Sequence, residues 1–206
     1  MLTQTDRLRS GNDLRGGDGV TDEEASAHDR GHDPGIVVIP YGEISPGMMS
    51  IGTMVLHEYY LHMKRDGTVE TTFTGMGMDS PEAFVKLLTE PPNLLVGVVA
   101  EGQLFGLAWL NHIGPNSAWA HFSALSEAWG KCTVEMGRAV LRYWWKLPKA
   151  NGEPLFDVLI GMTPAYNRPA LAFIRRLGFQ RVGSIPKVAA GGDMMISYLE
   201  RDDGRQ

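Results

Sequence analysis

Six histidines and a single cysteine are the first places to look for chemistry in this 206-residue chain. His57-Glu58-Tyr59-Tyr60-Leu61-His62 has the outline of a zinc-protease helix. Its histidines are five apart rather than four, however. On a helix that is roughly 140° past a full turn, so the pair cannot grip one metal from one face. His28 and His32 are four apart, but no helical pattern surrounds them and they read as solvated side chains. Gly75-Met76-Gly77 lacks the third glycine and the preceding strand of a dinucleotide loop. There is no Gly-x-Ser-x-Gly elbow, which argues against a serine hydrolase. Cys132 is alone, so no internal disulfide and no Cys-rich zinc module is expected. No metal centre is expected either.

The most informative stretch is Tyr166-Asn167-Arg168-Pro169-Ala170-Leu171-Ala172-Phe173-Ile174-Arg175-Arg176-Leu177-Gly178-Phe179, followed by Gly183. Asn167 falls at a strand-to-helix turn with its amide free, and Ala170 lets the helix pack closely. Gly178 stops the helix at its C′ position, and Phe179 enters the core as the next strand begins. The elements that must hold this turn can be read from periodicity and breakers. Ile36–Tyr41 reads as a strand. Met48–Lys64 reads as a helix with Ile51, Met54, Val55, Tyr59, Tyr60 or Leu61, and Met63 inward. Ser80-Pro81-Glu82-Ala83 starts a helix that Pro91-Pro92 ends.

Three strands follow, Leu94–Ala100, Leu104–His112 and Ala118–Leu125, with tight turns at Glu101-Gly102 and Gly114-Pro115-Asn116. Lys131–Leu147 is amphipathic, with Val134, Val140, Leu141, Trp144 and Trp145 as its stripe. A strand at Leu155–Gly161, a helix at Ala170–Leu177, and strands near Gln180–Ile185 and Met194–Leu199 complete the chain. The order β-α-α-β-β-β-α-β-α-β-β predicts an α+β fold, a mixed, mostly antiparallel sheet flanked by helices, with one parallel crossover.

Hydrophobic residues make up 43% of the chain, enough for a sizeable core. The net charge of −5 is unevenly placed. Residues 1–34 hold four Arg against eight Asp and Glu, and the remainder holds 15 basic and 16 acidic residues. Residues 1–34 have no apolar period and read as a disordered or loosely docked arm, and residues 35–206 as the folded domain. A nearly neutral body disfavours nucleic acid. No stretch approaches the ~20 apolar residues of a membrane span, and the N-terminus has no apolar signal core, so a cytoplasmic protein is expected.

This element order, together with Tyr166–Phe179, resembles the GNAT superfamily of acyl-CoA-dependent N-acyltransferases over roughly Gly35 to Leu199. Asn167, Ala170, Leu177-Gly178-Phe179 and Gly183 match one family motif. A second, Gln/Arg-x-x-Gly-x-Gly/Ala, is the family's pyrophosphate loop, and Glu127-Ala128-Trp129-Gly130-Lys131-Cys132 falls in its place. Gly130 fits, whereas Glu127 and Cys132 depart from the pattern. Backbone N–H groups at a helix start attract phosphate, and Lys131 and Thr133 add donors, but a carboxylate at 127 would repel phosphate if it pointed inward.

The resemblance implies acetyl-CoA, or a related acyl-CoA, as co-substrate. It implies Phe122, Ser123 and Ala124 as the strand that binds the acyl and pantetheine groups through its backbone. Trp129, Gly130, Lys131, Cys132 and Thr133 would hold the pyrophosphate, and Asn167 would contact pantetheine. The acceptor would be the amine of a small molecule or peptide, covered by the first two helices, and a homodimer is compatible with the family. Where the family carries a general-acid tyrosine this chain has Ile174, so Tyr166 is either its substitute or a rim tyrosine. His121 and Glu127 are candidates for the base, although a lone histidine on a strand reads more often as a packing residue. Ile174 and Glu127 also leave open a non-catalytic GNAT-fold relative that binds without turnover.

Overall fold

A computed structural model describes residues 35–42, 50–73, 77–189 and 192–201. The N-terminal arm with His28 and His32 lies outside them, as do Met48, Met49, Gly75 and Met76. Strands β1 (Val37–Pro40), β2 (Leu94–Ala100), β3 (Gln103–Asn111), β4 (Ser117–Ala124), β5 (Val158–Pro164), β6 (Gln180–Ala189) and β7 (Gly192–Glu200) form one sheet in the order β1-β2-β3-β4-β5-β7-β6. Every neighbouring pair is antiparallel except β4 with β5, the crossover expected from a helix lying between two strands.

Local chemistry explains most boundaries. Glu101 and Gly102 both take positive φ, 52° and 76°, the handedness a two-residue hairpin requires between β2 and β3. Helix α3 (Pro81–Thr89) starts where the Ser80 hydroxyl accepts from the Ala83 N–H at 3.1 Å. Helix α5 (Arg168–Arg176) starts on Asn167 and is followed by Gly178 at φ 94°. The strand expected at Leu155–Gly161 runs Val158–Pro164 instead. Leu155 still turns back on Leu147, and the chain meets the start of β4 only at Asp157 and Val158, whose N–H groups donate to Asn116 O at 2.8 and 3.1 Å.

The two faces of the sheet carry separate cores. Leu95, Leu107 and Trp109 face helix α1 (Thr53–Arg65) and α3, whereas Val96, Val98, Ala108, Leu110, Ala118 and Leu159 face helix α4 (Thr133–Trp144). The expected inward stripe of α1 is corrected here. Met54, Val55 and Leu61 are exposed, and the buried set is Leu56, Tyr59, Tyr60 and Met63. This helix has apolar residues on two sides, and the side that meets the Phe84 ring of α3 is the one buried. Ile51 is buried, but ahead of the helix and through a bridge to Tyr41. A short helix α2 (Val69–Thr72) was not expected. Helix α5 packs closely on α4 at Gly137, where a Cβ would sit 2.8 Å from both Phe173 and Leu177.

Candidate active site

Strands β4 and β5 pair at only three positions, Ser117 with Val158, Ala118 with Leu159 and Trp119 with Ile160. Each then continues along its other neighbour, β4 on β3 to Ala124 and β5 on β7 to Pro164. The two strands therefore splay, and the second half of β4 has a free edge. Its phase follows from one bond beyond the strand. Leu125 N–H donates to Phe105 O at 2.9 Å, which makes 105/125 a hydrogen-bonded pair. In an antiparallel ladder such pairs alternate, so Ser123/Leu107 and His121/Trp109 are bonded too. The N–H groups of Phe122 and Ala124 then point out of the sheet into the gap. The Ala124 carbonyl shares that edge and accepts from the Trp129 indole N–H at 3.2 Å.

A cavity of about 660 Å³ lies against this edge. Phe122, Ser123, Ala124, Trp129, Gly130, Lys131, Thr133, Tyr166 and Asn167 line it, so one space gathers residues separated by as many as 45 positions of sequence. Cys132 is the one expected binding residue not on its wall. Its thiol lies 3.5 Å from Met136 Sδ, against the core under α4, and burial pushes its pKa up.

The turn leading into α4 is tightly built. A 3-10 turn, Ser126–Ala128, is followed by Gly130 at φ 73°, which only a residue without Cβ adopts freely. Thr133 Oγ1 donates to Ala128 O at 2.6 Å. Glu127, the expected source of phosphate repulsion, is on neither cavity's wall. It reaches 2.8 Å to His62 Nε2 on α1 instead.

A smaller cavity of about 140 Å³ adjoins the first, and Thr71, Thr72, Phe122, Asn167, Ala170 and Phe173 line both. Phe122 and Phe173 stack with centroids 4.8 Å apart between them. His121 opens onto the smaller cavity, stacked on Trp109 at 4.9 Å with Nε2 2.9 Å from Asn111 Oδ1. Since an amide oxygen only accepts, Nε2 carries the proton and Nδ1 the lone pair. Burial, with His112 nearby, lowers the imidazole to about 4, so it is neutral at pH 7. Ile174 lines the same cavity. Tyr166 is 41% exposed on the rim of the larger one. Beneath β4, Tyr59 Oη lies 3.2 Å from Ser123 Oγ, and burial holds that phenol protonated.

Asn167 does two things at once. Its Oδ1 accepts from the Ala170 N–H at 3.2 Å, capping α5. A backbone N–H can bond only to the oxygen, so Nδ2 is the end left over, on a side chain that lines both cavities.

Sequence reasoning missed Arg176, Thr68, Thr71 and Thr72, all on the wall of the larger cavity. Arg176 was within reach, since Pro169, Ala172, Phe173 and Arg176 are spaced as one helical face. The threonines were not, because nothing in the sequence announces where α2 turns.

No protein-family model matches the sequence, and no curated protein sequence matches it. Solved structures do. A ribosomal L7/L12 alpha-N-protein acetyltransferase in complex with coenzyme A superposes with a TM-score of 0.62 at 14% identity, covering 81% of this chain and 94% of that one. Spermidine N-acetyltransferase from Vibrio cholerae, in complex with CoA and spermine, gives 0.60 at 15% identity over 80% and 95%. Ribosomal-protein-S5-alanine acetyltransferase from Vibrio fischeri gives 0.55 at 17% over 76% and 93%. These likenesses extend over most of each chain, and with its seven-stranded, mostly antiparallel sheet flanked by helices this chain has the GNAT fold.

Proposed function

We propose that the chain is an acyl-CoA-dependent N-acyltransferase that passes an acyl group, acetyl first among candidates, directly to an amine. The observation that carries this reading is the free edge of β4 facing the 660 Å³ cavity, with the Gly130 turn and Asn167 on the same wall.

In this reading the Phe122 and Ala124 N–H groups bind the pantetheine arm and the acyl oxygen, and stabilise charge on that oxygen as the amine attacks. The amide N–H groups around Gly130, with Lys131 and Thr133, take the pyrophosphate. The attacking nitrogen bonds to the acyl carbon, the carbon–sulfur bond breaks, and the nitrogen gives up a proton. Tyr166 on the rim returns a proton to the departing thiolate. Water takes the amine's proton; His121 is neutral at pH 7, but with its pKa lowered to about 4 it is a weak base for that step. Reaction in one ternary complex needs no covalent enzyme intermediate, so most of the acceleration comes from holding amine and thioester in contact.

The solved structures it resembles include acetyltransferases of a ribosomal protein's α-amine and of spermidine. A panel of N-terminal peptides and polyamines, read by thiol release from acetyl-CoA, therefore covers both acceptor classes. Acceptor-dependent thiol release supports the reading. A second reading rests on Ile174, an apolar side chain where the resemblance asks for a proton donor. In that case the cavity binds acyl-CoA and no member of the panel releases thiol.

A further inference from the structure

His62 does not pair with His57, but it is not alone. One helical turn on, Asp66 Oδ1 lies 4.0 Å from His62 Nε2, and Glu127 Oε1 approaches the same nitrogen to 2.8 Å. All three donor atoms lie within 4.8 Å of one another. We propose that His62, Asp66 and Glu127 form a divalent transition-metal site, with Zn²⁺ the best-suited ion, that clamps α1 to the turn preceding α4.

Three observations support this. The first is donor geometry. Zinc bonds of about 2.0–2.2 Å to nitrogen and oxygen place tetrahedral donors roughly 3.3 Å apart. The separations of 2.8 and 4.0 Å fall on either side of that value, and the third, between the two carboxylate oxygens, lies within 4.8 Å, so side-chain movements of about 1–2 Å bring all three onto one ion. The i, i+4 spacing of His62 on α1 and Asp66 at its C-cap, still in helical conformation, is the spacing that places two ligands on one helix face, which the five-residue spacing of His57 and His62 is not.

The second is that the carboxylate is already aimed. Asp66 Oδ2 accepts from both the Ser126 N–H at 3.3 Å and the Ser126 hydroxyl at 2.8 Å. These bonds hold the group below its ordinary pKa and leave Oδ1 facing His62. Hydrogen bonds of this kind orient metal-binding carboxylates. The third is charge. A neutral imidazole with two carboxylates presents a charge of −2 to a dication, offset only partly by Arg65 beside Asp66. Asp66 is the most shielded of the three, its side chain 11% exposed, and Glu127 is the most open at 46%, which leaves the fourth position to water.

The site would also give Glu127 a role. It stands where the resemblance asks for Gln or Arg, yet it turns from the cavity toward α1, the helix that carries Tyr59 against β4. An ion bound there would tie the phosphate-facing turn to that helix.

The test is isothermal titration of Zn²⁺ into the metal-stripped, untagged full chain, with thermal melts in parallel. One site per chain at micromolar Kd is expected, together with a Tm that rises with Zn²⁺. H62A and E127Q should each weaken binding at least tenfold, and the Tm rise at a given Zn²⁺ concentration should shrink in both. S126A, which only frees the carboxylate, should weaken it less than either. E127Q keeps a polar partner for His62, so its result does not depend on how well H62A folds. A double variant replacing His28 and His32 should bind as the natural chain does. The proposal is overturned if the natural chain shows no site, if H62A and E127Q bind unchanged, or if removing His28 and His32 abolishes binding.

Discussion

Replacing Asn167 separates its two roles, because the two ends of its amide do different work. In N167A the cap on the Ala170 N–H is lost, which costs about 1 kcal/mol. For a domain of this size that lowers Tm by about 2–4 °C. In N167D a carboxylate oxygen still caps, and its charge at the start of α5 adds about 0.3–1 kcal/mol of stability. Tm should therefore stay level or rise. Both variants lose the Nδ2 donor. A hydrogen bond worth about 0.5–1.5 kcal/mol corresponds to a twofold to tenfold loss of acetyl-CoA affinity, and in N167D the carboxylate adds repulsion toward the pantetheine carbonyls. Differential scanning fluorimetry and calorimetric titration, run on the same preparations, read the two roles apart. The expected pattern is divergent stability with affinity reduced in both. If N167D binds acetyl-CoA as tightly as the natural chain, Asn167 is a helix cap and nothing more, and the assignment of the cavity loses one of its supports.

Other expectations follow from the same geometry. G130V should cost about 1 kcal/mol, because a branched residue resists φ 73°, and it should weaken CoA by more than that, since its side chain intrudes where phosphate approaches. Urea melts and CoA titration give the two numbers. G137A sets a gain of about 1 kcal/mol in helix propensity against an overpacking cost of about 1–3 kcal/mol, because the new methyl meets Phe173 and Leu177 at 2.8 Å. A denaturant midpoint at or below that of the natural chain is expected, and a clear increase would contradict the close α4–α5 contact. His121 makes stability pH-dependent. Its folded value of about 4 lies below the 6.5 of an unperturbed histidine, so the unfolded chain binds the proton first. Its contribution is complete above pH 6.5 and is lost as pH falls toward 4, by about 3 kcal/mol in all. H121Q should flatten that part of the stability profile.

What the sequence revealed and what it concealed divide along physical lines. Ser80-Pro81, Glu101-Gly102 and Gly178 were legible because caps and positive-φ turns are decided within four residues of chain. The strand order around β4 and the approximate place of the Asn167 turn followed from periodicity and the family motif together. On α1, Tyr59 and Met63 were read inward as found, but Met54 and Val55 were read inward too and Leu61 could not be told from Tyr60, because all are apolar enough to be buried. Only contact with Phe84 on another helix breaks the tie. Glu127 was misjudged for a similar reason: a residue type says nothing about direction, and His62, 65 positions away, turns it from the cavity. Cys132 occupies a phosphate-loop position in sequence, and its small side chain packs over Met136.

The central claim is that the splayed edge of β4 and the Gly130 turn enclose an acyl-CoA site. Calorimetric titration of acetyl-CoA into the full chain tests it most directly. One site per chain with micromolar Kd, competed by free CoA and weakened in both N167D and G130V, is the predicted result. No detectable heat at millimolar acetyl-CoA, or binding that ignores both substitutions, would contradict it.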